Sequence, residues 1–579
     1  MNMKKTASLL LSAALCLGAA AGCGGGDTPT PAGSSPAASG LTLPADGGYK
    51  TVSITPSADK YRTFYEIFPY SFCDSDGNGI GDFKGITSKL DYLNDGNAET
   101  TDDLGIEGIW LMPIMPSPSY HKYNVTDYMA VDEAYGTMDD FKTLVSESHK
   151  RGINVIIDFV INHTSRKHEW YQKALEELKA GKTDGYAEYY HFEKDKKDTK
   201  GWKDAGIGGG WYYECEFDED MPDVNLKSEK VREEYKKIVD FWLKDIGLDG
   251  FRLDAVLWYE STSIQDSVED LKWLYDYAKT VKSDVYMVGE CWSSSGNIAE
   301  FYQSGADSFF NFDMEGVNGQ VVSTINTKYA KGYAEYLQNW QELIRKNNAA
   351  AIDAPFISNH DTSRSASFFK NNTTRKMAAS LYLMAPGNPF IYYGEEIGMT
   401  GSGDDPNKRT GMYWSSTDTT GYVAKIPGSV GVTKPETGVA QQQTDENSLL
   451  SFYKRAIRLR SQNPELARGT LKAVDLGKDS VSGFVTEYED SKVMVIFNVG
   501  TTAETVTVPS TAMEIKEVRG YLLCDSGDVS AAADVDPFAD LTGGDTKTTS
   551  ETSAAADVKE PSVVGAQVTM PAYSVIVLK

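Results

Sequence analysis

NVIIDFVINHTS, residues 154–165, runs apolar for most of its length and then ends on Asn162 and His163. Val155, Ile156, Ile157 and Phe159 suit a strand buried on both faces, as the strands of a parallel sheet covered by helices are. Asp158 interrupts the apolar run. The same pattern recurs in GFRLDAVLW (250–258) and in VGECW (288–292). FISNHDTSR (356–364) repeats it after Pro355, closing on His360 and Asp361. Ionisable residues placed repeatedly just past strands point to the C-terminal rim of an α/β barrel.

Reading outward from these runs, apolar segments alternate with amphipathic helical stretches from Tyr61 to about Pro464. Strands are predicted at Phe64–Phe68, Gly108–Met112, Asn154–Phe159, Gly250–Asp254, Val285–Glu290, Ser308–Phe312, Phe356–Asn359 and Pro389–Tyr393. Eight runs with helices between them spell a (β/α)8 TIM barrel, an α/β fold. Its segments are 49–162 and 227–464. The interval 163–226, after the third strand, is too long for a simple connection and reads as an inserted subdomain. From 465 to 579 the period changes to two, which predicts a C-terminal all-β sandwich domain. Within it, 525–562 is rich in Ala, Asp, Ser and Thr and reads as a mobile loop.

At 579 residues the chain is long enough for a barrel with accessory domains. Its net charge of −27 argues against nucleic acid or an anionic membrane surface as partner. Lys4 and Lys5, an apolar stretch from Ser8 to Leu17, and Ala20-Ala21-Gly22-Cys23 predict a lipoprotein signal peptide at 1–22 with Cys23 carrying the lipid. A Pro/Ser/Ala/Gly-rich linker, 23–48, would tether the protein flexibly. These features predict a monomer on the outer face of a bacterial membrane, attached only through its N-terminal lipid. The remaining cysteines, Cys73, Cys215, Cys291 and Cys524, form no CxxC pair or metal-binding spacing.

The strand-end residues supply a specific chemistry. Arg252, two residues before Asp254, can hold that carboxylate ionised, as a nucleophile requires. Glu290 lies between apolar and aromatic neighbours, where partial desolvation suits a general acid and then a base. Asp361, beside His360, is a third carboxylate able to favour positive charge at an anomeric carbon. A pair of carboxylates from different strands is what glycosidic cleavage needs.

With these motifs in order over residues 61–579, the chain resembles glycoside hydrolase family thirteen, the α-amylase superfamily. MPDVNL (221–226) adds a likeness to an intermediate group between amylases and neopullulanases that includes surface lipoproteins. The resemblance implies a retaining double displacement, with Asp254 as nucleophile, Glu290 as acid/base and Asp361 as transition-state stabiliser. It implies that Asp158, His163, Arg252 and His360 serve the sugar at the cleavage point, that Tyr123 stacks on it, and that His121 stands beside Tyr123. Lys122 and Asn124 occupy positions where the family usually has Gly and often Asp. Leu257 and Trp258 replace a usual Lys-His pair, leaving Trp258 to stack on a sugar. The implied activity is internal cleavage of α-1,4-glucans such as starch. Neopullulanase, cyclodextrinase, oligo-1,6-glucosidase and a transglycosylase are alternatives on the same scaffold. A non-catalytic glycan-binding protein would be expected to lack the carboxylates.

DSDGNGIGD (74–82) is a second constellation, with Asp74, Asp76, Asn78 and Asp82 closely spaced and glycines allowing a tight wrap. Its first six residues fit an EF-hand, but the twelfth position would be Gly85, so an EF-hand is rejected. A hard-cation site remains, using those side chains and the Ile80 carbonyl. The resemblance implies that the cation is Ca2+.

Overall fold

A computed structural model describes residues 40–48, 59–431, 433–525 and 558–579. Cys23, the signal peptide, and linker residues 23–39 lie outside the described residues, as do 49–58 and 526–557.

Eight parallel strands form one sheet: β1 (Phe64–Ile67), β2 (Gly108–Leu111), β3 (Asn154–Phe159), β7 (Gly250–Leu253), β8 (Tyr286–Gly289), β9 (Ser308–Phe310), β10 (Ile352–Ala354) and β11 (Phe390–Tyr392). Each pairs with its sequential neighbour, and β1 pairs with β11. The ends β10 and β11 meet through Asn388 N–H to Asp353 O (2.8 Å) and Phe390 N–H to Pro355 O (3.0 Å). The result is a TIM barrel. Its interior is packed with aromatic rings, Phe64 lying parallel to Phe390 at 4.7 Å and Trp110 against Phe310 at 5.4 Å. Rings this large fit only because neighbouring strand positions are small. A Cβ at Gly108 would collide with the Phe64 ring, and one at Gly289 with Phe309.

One predicted strand is corrected. Residues 356–359 are not a strand, and the seventh barrel strand is Ile352–Ala354, a few residues earlier. Asp353, an acid in the middle of that short strand, hides the pattern. Its buried carboxylate accepts from Trp340 Nε1 (2.7 Å) and Asn311 Nδ2 (3.1 Å), which is how a charged residue is tolerated there. The segment His360-Asp361 therefore belongs to the loop after β10.

The helices form where the periodicity places them. Met138–Lys150 buries Phe141, Leu144, Val145 and Ser148, and Thr137 and Asp140 close a capping box at its start. Glu229–Asp240 continues through a π-helical turn, Phe241–Ile246, that ends at Gly247. Between β3 and β7 the chain forms a small antiparallel sheet of β4 (Phe192–Lys194), β5 (Trp202–Asp204) and β6 (Trp211–Glu214). A bridge between His163 and Asp223 ties the end of this insertion to the chain just past β3, and one between Tyr190 and Val224 closes the insertion on itself.

After the helix Leu449–Ser461, two antiparallel sheets follow. One contains β12 (Thr470–Val474), β13 (Val481–Tyr488), β14 (Ser491–Asn498), β16 (Val518–Leu523) and β19 (Ser574–Leu578). The other contains β15 (Glu504–Thr507), β17 (Ser562–Val564) and β18 (Gln567–Met570). Met494, Ile496 and Ile576 from the first pack with Val506, Val563 and Val568 from the second, forming a sandwich core. Two expectations are adjusted. Ser562 already belongs to β17, so the predicted loop 525–562 ends earlier. Residues 40–48 are not free tether: Leu41 N–H donates to Val563 O (2.8 Å), and Leu41 and Leu43 pack on the sandwich core.

Candidate active site

The C-terminal ends of the barrel strands open into a cleft of about 640 Å3. Asp254, Glu290 and Asp361, three residues far apart in sequence, all line it. So do His121, Tyr123, His163 and Trp258. The remaining predicted site residues of the barrel, Asp158, Arg252 and His360, lie directly beneath, with no exposed surface.

Arg252 is the hub of the floor. Its Nη1 donates to Asp158 Oδ1 (2.8 Å) and Asp254 Oδ1 (2.6 Å), and its Nη2 lies 3.0 Å from Glu290 Oε1. One guanidinium thus joins the ends of three neighbouring strands. Tyr123 Oη donates to Asp158 Oδ2 (3.0 Å), and the Tyr123 ring lies parallel to that of His360 (5.6 Å, 12°). Directly after Asp254, Ala255 adopts a left-handed conformation (φ 51°, ψ 39°). That turn costs a residue with a Cβ about 1 kcal/mol or more. It aims the Ala255 N–H at Glu290 Oε2, 3.0 Å away, and so fixes the two strand ends relative to each other.

Asp361 is held from two sides. Arg409 Nη2 donates to its Oδ1 (2.6 Å), and His360 Nε2 lies 2.9 Å from its Oδ2. The other ring nitrogen of His360, Nδ1, is 2.6 Å from Glu66 Oε1 on β1.

These surroundings push the carboxyl groups apart. Burial raises Glu290 to about 6, with Arg252 pulling down and Asp254 and Asp361 adding to the rise. Desolvation opposes ionisation of Asp361, but the His360 and Arg409 cations hold it far below the usual carboxylate range. Desolvation also works against the charged form of His360, yet Asp361 and Glu66 raise it to about 9, so it is an imidazolium at neutral pH. Burial lifts Asp158 to about 7 against the pull of Arg252. It lowers His121 to about 4 and also lowers His163. The buried Nε2 of His163 has no hydrogen-bond partner in the structure, and the residue faces the cleft. The site therefore combines an ionised acid, a carboxyl poised to carry a proton, and neutral imidazoles.

Lys122 turns away from the cleft. Its Nζ pairs with Asp132 Oδ2 (2.6 Å), and its backbone takes φ 67°, a conformation that suits glycine. Asn124 is buried and accepts from Ser117 Oγ (2.7 Å) and from Ser119.

Sequence reasoning missed Glu66, Arg409, Asp405, Phe217 and Trp292. Glu66 leaves a signal, being the charged residue inside the apolar run FYEIF. Trp292 stands in the quoted GECW motif, two residues beyond Glu290. Arg409 and Phe217 sit in loops with no pattern that would mark them.

The second constellation is also assembled. The carboxylates of Asp74, Asp76 and Asp82 supply oxygens within 4.8 Å of one another. Asp82 Oδ1 also caps the helix Phe83–Thr87 at Gly85 N–H (2.7 Å), and Asn78 Oδ1 accepts from Ile80 N–H (2.8 Å).

Comparison with known proteins supports the same assignment. The family model described as Alpha amylase, catalytic domain, matches residues 66–469. Alpha-amylase 3 of Dictyoglomus thermophilum is 37% identical over 79% of this chain and 88% of that protein. The solved structure of Eubacterium rectale Amy13B is 40% identical with a TM-score of 0.81, covering 93% of this chain and 99% of its own. An oligo-1,6-glucosidase of Bacillus cereus is 29% identical over 76% of this chain and 90% of that protein. With its barrel, its three cleft carboxylates and these likenesses, the chain belongs to the α-amylase family of glycoside hydrolases.

Proposed function

We propose that the enzyme cleaves internal α-1,4-glucosidic bonds of starch and malto-oligosaccharides with retention of anomeric configuration. The observation that carries this reading is the presence of Asp254, Glu290 and Asp361 in one cleft, with Glu290 raised by burial and Asp361 held ionised by its neighbouring cations. Asp254 attacks the anomeric carbon while Glu290, the carboxyl that burial keeps protonatable, gives its proton to the glycosidic oxygen. Asp361, held ionised, faces the positive charge that develops on the sugar ring. Glu290 then takes a proton from water, whose oxygen displaces Asp254. The Tyr123 hydroxyl, 2.7 Å from His360 Nε2, fixes a ring that lines the cleft and can meet a sugar, and His121 and His163 offer neutral imidazoles to hydroxyl groups.

A product profile from starch, pullulan, cyclodextrin and isomaltose tests the specificity. Maltose and maltotriose-sized products from starch, with a minor activity on pullulan, are expected. A second reading, oligo-1,6-glucosidase, is favoured by the Bacillus cereus likeness. Glucose as the sole early product, or isomaltose preferred over starch, would select it.

Calcium fits the loop 74–82 as a structural ion. Three carboxylates gathered within 4.8 Å repel one another, and a hard divalent cation relieves that repulsion through oxygen donors. Asp74, Asp76, Asn78, Asp82 and the Ile80 carbonyl would hold it, fixing the chain between β1 and the helix Phe83–Thr87. None of them lines the catalytic cleft. EDTA should lower the melting temperature of the native enzyme, and Asp76→Ala should remove that response. A melting curve indifferent to both chelator and added Ca2+ would count against the site.

The same reading places the enzyme outside the cell, as a monomer anchored by lipid on Cys23, where it would trim a polymer too large to import. Leu41 and Leu43 dock on the sandwich, so the stretch 40–48 does not lengthen such a tether. Cys23→Ala should release the enzyme from the membrane fraction or block its processing. Equal membrane association of wild type and variant would rule the anchor out.

A further inference from the structure

Behind the cleft lining lies a carboxyl pair that the proposed reaction does not use. Ala255, Leu257 and Trp258 line the cleft, and the same turn runs on through Tyr259 and Glu260 to the helix Ile264–Val281. Two positions on one face of that helix, three residues apart, address Glu260. Ser267 Oγ accepts from the Glu260 backbone N–H (2.9 Å), and the Asp270 carboxyl lies within hydrogen-bonding reach of the Glu260 side chain. Asp270 has no exposed surface. Its Oδ1 accepts from Arg232 Nη2 (2.7 Å) and stands 3.1 Å from Lys227 Nζ. Its Oδ2 and the Oε1 of Glu260 are both buried, and no donor among the described residues reaches either.

Two carboxylates in contact, each with a buried oxygen that nothing donates to, repel and are poorly solvated. A single proton between them removes one charge and supplies the missing donor. The neighbours favour that state. Burial raises Glu260 to about 7, with Asp270 adding to the rise and Lys227 pulling down. Burial raises Asp270 as well, against Lys227 and Arg232. Asp266, on the same helix, adds to the rise of Glu260. From the insertion, Glu214 Oε1 accepts from Ser261 Oγ (2.6 Å), and burial disfavours the cation of His191. Burial also raises the Tyr259 hydroxyl well above its ordinary value, so it stays neutral.

We propose that Glu260 and Asp270 share one proton that pins the turn 255–263 against the helix behind it, and that losing this proton loosens the cleft lining. Glu260 is thus a positioning residue, acting through Ala255, Leu257 and Trp258 rather than on a sugar. Below about pH 7 the pair carries one negative charge, which Arg232 and Lys227 balance. As pH rises, the proton passes to solvent and no other bond changes. Two carboxylates then face each other, and Glu260, the less buried of the two, is the one free to swing toward water. A carboxyl raised on folding lends stability that is present at low pH and lost as pH climbs through the folded value. The device is indifferent to which glucan the enzyme cleaves.

The test is amide hydrogen exchange of the native full-length enzyme at pH 6 and pH 8.5, read by mass spectrometry. Exchange times are scaled for the intrinsic pH dependence of amide exchange. Peptides covering 255–263 should lose about tenfold in protection at pH 8.5, while those covering the strand Asn154–Phe159 keep theirs. Glu260→Gln supplies an amide N–H to Asp270 at every pH, so its turn should stay protected at both. In the wild type, KM for soluble starch should rise over the same interval, and in Glu260→Gln it should not. The pH dependence of kcat should follow Glu290 in both. Equal protection of the turn at both pH values in the wild type overturns the inference, as does a Glu260→Gln variant that loosens as the wild type does. Loosening shared by the barrel strand would be global and would overturn it too. Exchange is read without substrate, so these outcomes leave the hydrolase reading intact, and only starch left uncleaved would sink that.

Discussion

Asp254→Asn and Glu290→Gln should each lower kcat on soluble starch by about three to five orders of magnitude, with the fold retained. The two losses should differ in kind. Asp254→Asn removes the attacking oxygen's charge, so no substrate with a better leaving group restores turnover. Glu290→Gln removes a proton donor, so α-maltosyl fluoride, whose fluoride leaves without protonation, should still form the glycosyl-enzyme. Added azide, which needs no base, should then release α-maltosyl azide. In the wild type the first product should keep the α configuration by NMR, with the two carboxyl groups about 5–5.5 Å apart, as retention requires. Glu290 must enter the reaction protonated, and burial raises it to about 6, so kcat/KM should decline as pH rises through about 6. Inverted product, or near-normal starch activity in either variant, would remove the assignment.

Arg252→Met should give the largest stability loss of any single change at the site, about 3–5 kcal/mol. The guanidinium is fully buried and contacts Asp158, Asp254 and Glu290 together. Removing it strands Asp158, which has no exposed surface, and takes the cation away from Asp254 and Glu290 at the cleft floor. The effect should depend on pH. Asp158 already sits at about 7 in the folded protein, well above its ordinary value, and losing Arg252 raises it further. A carboxyl raised on folding takes up protons, so the stability it supports is present at low pH and is lost as pH climbs through the folded value. The melting-temperature gap between variant and wild type should therefore be wider at pH 8 than at pH 5. A gap that is constant, or that narrows with pH, would show that the arginine does not pull the Asp158 carboxyl down.

Much of this was legible in the amino-acid sequence for a local reason. The strand Asn154–Phe159 and the helix Met138–Lys150 carry their own period, and Asp254 and Glu290 each stand immediately after a barrel strand. A strand ending on a barrel rim delivers the next residue to the mouth, so position in the chain already implies position in space. The seventh strand failed this test because Asp353 breaks its short run, and only its bonds to Trp340 and Asn311 explain how the acid is buried.

What the sequence by itself determined was the barrel, the insertion after its third strand, the sandwich, and that Asp254, Glu290 and Asp361 reach one cleft. The tertiary structure alone decided how they differ. Glu66 and His360 are 294 residues apart and meet at 2.6 Å, and Arg409 comes from a loop 48 residues beyond Asp361. Those approaches make His360 a cation and hold Asp361 ionised, while Glu290, buried beside them, keeps its proton up to about 6. A residue's charge state is set by every group within a few ångströms and by the water excluded around it. Neither quantity exists in a sequence until the chain has folded.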